Sequence, residues 1–179
     1  MDKKMYSQPL SLRSVQVSDA FWKQEMELVR KEVIPYQWEA LNDRVEGAAP
    51  SYAMRNFRVA AKKNQERKEL GAAFQGFETL SEELDSLEDR FYGCVFQDSD
   101  FSKWIEAVGY SLNQHPDPEL ERIADGAIDL VCAAQQEDGY LDTYYIINGK
   151  NKIFTNLRDH HELYCMGHLI EGAVAYYEA

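Results

Sequence analysis

The sequence predicts an all-α protein whose helices pair around a ring, and three observations carry that expectation. Apolar residues recur at three- and four-residue spacing through most of the chain after Ser18, as in amphipathic helices. Capping and turn residues stand between those stretches: Asp117 before Pro118, and Gly139 after Glu137 and Asp138. From residue 98 onward the order is helix, short turn, helix, long aromatic loop, helix. That is the rhythm of a helical toroid, in which outer and inner helices alternate and the loops at one end build the site. The periodicity predicts helices; the ring is inferred from their order.

In chain order, residues 11–17 alternate through Leu12, Ser14, Val15 and Val17 and predict a short edge strand. Ser18 is placed to cap a helix over 19–34, with Trp22, Met26, Val29 and Val33 along one face and Pro35 as its stop. A second helix is expected from about Tyr52 to Lys63, aligning Met54, Phe57 and Ala61. Residues 62–90 are densely charged and read as a variable insertion, either an exposed helix or a mobile segment. Ser99 or Asp98 caps a helix over 100–114 that aligns Phe101, Trp104, Ile105, Val108 and Leu112. Asp117 caps the next, over 118–136, with Pro118 in its first turn and Leu120, Ile123, Ala127, Ile128 and Val131 as its buried face. Gly139 then turns the chain where a positive φ is easiest.

Asp159 and Glu162 match a capping box that opens a last helix over 160–178. One face of it carries Leu163, Met166, Ile170, Ala173, Val174 and Tyr177. A second, smaller and more polar face carries His161, Cys165, His168, Gly172 and Ala175, so the helix is expected to be packed on most sides. No Gly, Pro or polar tail stops the pattern at Ala179. The chain reads as the N-terminal portion, residues 1–179, of a single larger helical domain.

The 179 residues carry a net charge of −12, with 45% hydrophobic and 12% aromatic content. That leaves ample material for a core. It disfavours nucleic acid or an anionic membrane as partner, because phosphate binding needs clustered Lys and Arg. No apolar run approaches the roughly 20 residues of a membrane span, and no signal peptide is visible. Cys94, Cys132 and Cys165 are odd in number, far apart and without a Cys-x-x-Cys pair; they read as reduced, structural thiols in a cytoplasmic protein. Oligomeric state leaves no mark in the sequence.

His161 follows a long loop and opens an apolar helix, where a side chain can face a cavity mouth and bond a sugar hydroxyl. A hydrogen-bonded core histidine is the other reading of it. His168, seven residues on along the same face, is expected to be more buried and bonded to protein groups, and His160 to point to solvent. Asp138, Tyr140 and Asp142 sit in the preceding loop, where an aromatic face and carboxylates suit a sugar; the alternative is a capped turn with Tyr140 packed inside. Asp138 and Asp142 also raise an acid/base pair for glycoside cleavage, although both lie in turn chemistry. Gln97, Asp98, Ser99 and Asp100 read most economically as a helix cap. There is no G-x-S-x-G, P-loop, His-Glu-x-x-His or dinucleotide fingerprint, and His161 to Cys165 misses the zincin pattern at its last position. No three Cys, His or Glu residues are spaced to close a metal site locally, so the chain alone is expected to hold no zinc.

Several stretches together resemble the β-L-arabinofuranosidases of glycoside hydrolase family 127. They are FW at 21–22, VIPYQWEALND at 33–43, NFRVAA at 56–61, FYGCVFQDSDFSKWIEAVGYSL at 91–112, the run from His115 to Thr143, and HELYCMGHLIEGAVAYYEA at 161–179. The resemblance implies the N-terminal part of an (α/α)6 barrel whose inner helices surround a pocket for a terminal arabinofuranose of an arabinose-containing oligosaccharide. It implies a cysteine thiolate nucleophile bound to Zn2+, a glutamate acid/base, and a metal held by three cysteines and a second glutamate. Those residues belong to a later part of the family's sequence, so no catalytic residue is expected within this chain. Only the histidine of the HELY motif carries over, as the sugar-contacting His161. Two rivals are a related helical-barrel lyase, epimerase or unsaturated glucuronyl hydrolase, and a non-catalytic carbohydrate-binding fragment.

Overall fold

The computed structural model describes residues 10–69 and 89–179 of the chain. Those residues form seven α-helices and, among them, no strand. The helices are α1 (Ala20–Leu28), α2 (Ile34–Leu41), α3 (Ala53–Glu69), α4 (Asp98–Gln114), α5 (Pro118–Ala134), α6 (Thr143–Asn148) and α7 (Glu162–Tyr177). None of them is long and apolar enough to cross a membrane.

The edge strand expected at 11–17 is a 3-10 turn, Leu12–Ser14. Val15 takes an extended conformation, but among the described residues there is no strand for it to pair with. The Leu12 carbonyl instead accepts a 2.9 Å bond from Gln114 Nε2, pinning the segment to the end of α4. The cap of α1 is Asp19 rather than Ser18, its carboxylate accepting from Trp22 N at 3.0 Å.

Pro35 does not stop the helix. A π turn, Val29–Val33, joins α1 to α2, and Ile34 N donates to the Val29 carbonyl five residues back. A proline clashes with the carbonyl four residues earlier. One extra residue in the preceding turn relieves that clash, so the helix continues through to Leu41.

The expected helix at 52–63 extends as α3 to Glu69, taking in the first part of the charged stretch at 62–90; residues 70–88 lie outside the described residues. α5 follows its sequence signals: Asp117 accepts from Glu119 N and Leu120 N, with Pro118 beginning the helix. Gly139 adopts φ +88° in the turn that follows. α6 lies inside what reads as a long loop, and its six residues are too few to show a period.

Phe57, Phe101, Met54, Ile146 and Val108 are the largest apolar side chains of the sealed core. Trp38 stacks on Trp104 at 4.6 Å, and Trp104 Nε1 donates to the Ile34 carbonyl, which fastens α2 to α4. Asn64 fastens α3 to α5: its amide nitrogen donates to the carbonyls of Ala133, Ala134 and Gln135 at the open end of α5.

The closest pairing joins α4 to α7, and among the described residues it covers one face of α7 rather than packing it on most sides as expected. The small face is the buried one: Cys165, Gly172 and Ala175 are covered. Leu163, Ile170, Val174 and Tyr177 stand 51–90% exposed. The reason is backbone proximity. A Cβ at Gly109 would lie 2.5 Å from the Ala175 carbonyl carbon, and one at Gly172 would lie 2.6 Å from the Ser102 carbonyl oxygen. Helices this close need small residues between them, whatever their hydropathy.

Candidate functional site

Tyr140, His161 and Glu162 come together at the N-terminus of α7. His161 is the cap residue there, at φ 58° and ψ 23° in the left-handed region, and its side chain makes no capping bond. Histidine is among the few non-glycine residues enriched at such angles. Its Nδ1 lies 2.9 Å from the Asp159 carbonyl oxygen. A carbonyl only accepts, so Nδ1 is the donor in this contact, which leaves Nε2 as the ring nitrogen open to a ligand. Phe96 and Tyr164 flank the ring at 5.3 and 5.9 Å between centroids. The ring is partly buried, as is that of His168.

Glu162 does not close a capping box with Asp159. It is buried, and its carboxylate accepts from Tyr140 Oη at 2.7 Å and from Phe154 N at 2.9 Å. Tyr140 is therefore tied from the loop to the first residue of α7, with Phe154 edge-on to its ring at 5.7 Å. Burial, and then the bond to Glu162, push the Tyr140 phenol well above its ordinary value, so it remains a donor. His160 does not point to solvent as expected; its Nδ1 lies 2.6 Å from Tyr145 Oη.

Asp142 caps α6 through Oδ1, which accepts from Tyr145 N at 3.3 Å, while Oδ2 is buried without a partner. Asp98, by contrast, is not a cap. It lies inside α4 and reaches across to α6, accepting from Thr143 N at 2.7 Å and from Thr143 Oγ1. Burial raises both carboxyls, and the charge of Asp98 raises Asp142 further. The carboxyl that meets Asp142 is thus Asp98. Asp138 is exposed and accepts from Tyr140 N within its own turn, so the structure does not assemble an Asp138–Asp142 acid/base pair.

The sequence reads Glu162 and Asp98 only as capping residues; it gives no sign of their buried bonds to Tyr140, Phe154 and Thr143. Each is an acidic residue covered by a neighbouring element, which only the observed packing identifies.

A cysteine-held zinc does not fit the described residues. Cys94 and Cys132 are exposed, and Cys165 is buried with its thiol pushed up to about 12, so it stays S–H at neutral pH. The three side chains that do approach one another closely enough to share an ion are Glu106, His168 and Glu171, with no cysteine among them.

Comparison with known proteins adds to this geometry. The family described as "Beta-L-arabinofuranosidase, GH127 catalytic domain" matches residues 14–179. The non-reducing end β-L-arabinofuranosidase of Bifidobacterium longum subsp. longum is 39% identical over 169 residues, covering 92% of this chain and 24% of that protein. The crystal structure of a GH127 β-L-arabinofuranosidase from Geobacillus stearothermophilus T6 is 52% identical with a TM-score of 0.75, covering 92% of this chain and 22% of that one. A further solved GH127 β-arabinofuranosidase is 30% identical with a TM-score of 0.72, over 96% of this chain and 24% of that one. The chain thus spans about a quarter of the length of the relatives it matches.

Proposed function

Because the chain belongs to the GH127 β-L-arabinofuranosidase family, we propose that it forms one wall of the sugar pocket in a domain that hydrolyses terminal β-L-arabinofuranosides from arabinose-containing oligosaccharides. The observation that carries this reading is the left-handed cap at His161. It turns the imidazole out of the helix and between two aromatic rings, with Nε2 ready to accept from a sugar hydroxyl. Tyr140 and Asp142 act behind it: Tyr140 holds the loop to α7, and Asp142 fixes the start of α6.

The zinc-bound cysteine nucleophile and the glutamate acid/base implied by the family resemblance we assign to parts of the catalytic domain that these residues do not match. Zinc there would supply a thiolate at neutral pH; the residues described here orient sugar and exclude water. Exposed, unpaired Cys94 and Cys132 suit a reducing, cytoplasmic compartment.

The test is His161→Asn in the arabinofuranosidase domain that contains this chain, assayed on a chromogenic β-L-arabinofuranoside. Asn tolerates the left-handed backbone, so the cap survives while the Nε2 acceptor is lost. A positioned hydrogen bond strengthened in the transition state is worth roughly 2–4 kcal/mol, so kcat/KM should fall about 30- to 1000-fold. Tm should change by only a few degrees. Unchanged kcat/KM would refute the assignment.

A further inference from the structure

We propose that Glu106, His168 and Glu171 form a binding site for one divalent transition-metal ion of the zinc class, bridging α4 and α7. Their ligand atoms lie within 4.8 Å of one another. His168 and Glu171 are three apart on α7 and so share a face, and Glu106 comes from the facing stretch of α4. This pairing of a histidine with a carboxylate at i, i+3, completed by a carboxylate from a neighbouring helix, is how helical bundles build metal centres. The three positions are 62 and 65 residues apart in sequence, which is why local spacing gave no hint of them.

The imidazole supplies the pointer to a ligand. His168 Nδ1 is sealed from solvent and has no hydrogen-bond partner, although Glu171 Oε2 is only 3.2 Å away. The two atoms are close without being aligned to share a proton. Two ligands on adjacent vertices of a tetrahedral zinc, each roughly 2.0–2.1 Å from the metal, stand about 3.3 Å apart. The observed separation matches that edge.

The surroundings support the same occupant. Tyr110 Oη donates to Glu106 Oε1 at 3.0 Å, and the Tyr164 ring packs edge-on against His168 at 4.5 Å, so both ligands are held by outer neighbours. Among the described residues no Lys or Arg pairs with Glu106 or Glu171. An imidazole ligand favours zinc, cobalt or nickel over magnesium or calcium, which prefer all-oxygen sites.

The experiment titrates the whole metal-free chain with ZnCl2 by calorimetry, with MgCl2 as control, and follows the ring signals of its four histidines by NMR. The expected result is one equivalent of zinc bound, none of magnesium, and selective perturbation of His168. Glu106→Gln and His168→Gln should each weaken zinc at least tenfold. No stoichiometric zinc binding overturns the proposal. So does zinc that perturbs His115, His160 or His161 instead of His168 in the unmodified chain, a readout that does not depend on whether either variant folds. Undiminished affinity in both variants overturns it as well.

Discussion

Asp98 and Asp142 are two carboxyls sealed at one helix junction, and they are served unequally. Asp98 receives both donors of Thr143. Asp142 accepts from Tyr145 N on one oxygen while the other is buried without a partner, so its charge is the less well supported of the two. The unfolded chain ionises an aspartate near pH 4, whereas burial and Asp98 keep Asp142 protonated to higher pH in the folded protein. The stability tied to this proton is therefore complete below about pH 4 and is lost as the pH rises through the raised folded value, at up to roughly 1.4 kcal/mol per unit. Asp142→Asn keeps the capping oxygen and presents a neutral amide. Its urea midpoint should match the parent at pH 4 and exceed it at pH 8. Equal pH slopes for the two proteins would mean that Asp142 is ionised in the fold. The sequence marked Asp142 and His161 as residues of interest, because a carboxylate in an aromatic loop and a histidine at a helix start can both bond a sugar hydroxyl. It could not reveal what each touches. The partners, Asp98, Glu162 and Tyr145, come from elements tens of residues away or from a helix too short to show a period.

At the scale of elements, the glycines of α4 and α7 separate packing from propensity. Gly109→Ala drives a methyl into the Ala175 backbone, which has no side-chain freedom with which to yield, and should cost about 1–3 kcal/mol or more in chemical denaturation. Gly126→Ala in α5 and Gly167→Ala in α7 meet nothing within 4 Å. Each should stabilise by roughly 0.5–1 kcal/mol, through the lost flexibility of the unfolded chain. If Gly109→Ala proved as benign as Gly167→Ala, the helices would not approach as described. Periodicity located α4, α5 and α7 to within a few residues, since apolar spacing and the Asp117-Pro118 cap act locally. It expected α7 to be packed on most sides, whereas the described residues bury only its small face, because hydropathy does not register a contact made backbone to backbone. Pro35 misled for a related reason: a π turn is a geometric accommodation with no composition of its own.

At the scale of the whole molecule, the described residues bury a small face of α7 and leave its larger apolar face open. A contiguous exposed stripe of Leu163, Ile170, Val174 and Tyr177 should bind a hydrophobic dye such as anilinonaphthalene sulfonate while the circular dichroism stays helical. Ile170→Lys with Val174→Lys should cut that fluorescence severalfold and leave the helical signal intact; a parent chain that binds no dye would contradict the exposure. The toroid was legible from the order of elements and from the family motifs, while which helices embrace was not, because the main pairings skip over neighbours. α4 meets α7 across α5 and α6, the Lys103–Tyr164 bond spanning 61 positions, and Asn64 of α3 grips α5 some 69 to 71 positions away.

That leapfrogging has a kinetic consequence. Helices of this length form in about a microsecond. Closing a loop of some sixty residues, however, carries an entropic cost of order 4 kcal/mol beyond a constant, before any contact repays it. Folding is then limited by encounter. α4 must wait, with the groove at Gly109 uncovered, until α7 arrives to fill it, so the chain should fold more slowly than its helix content alone suggests.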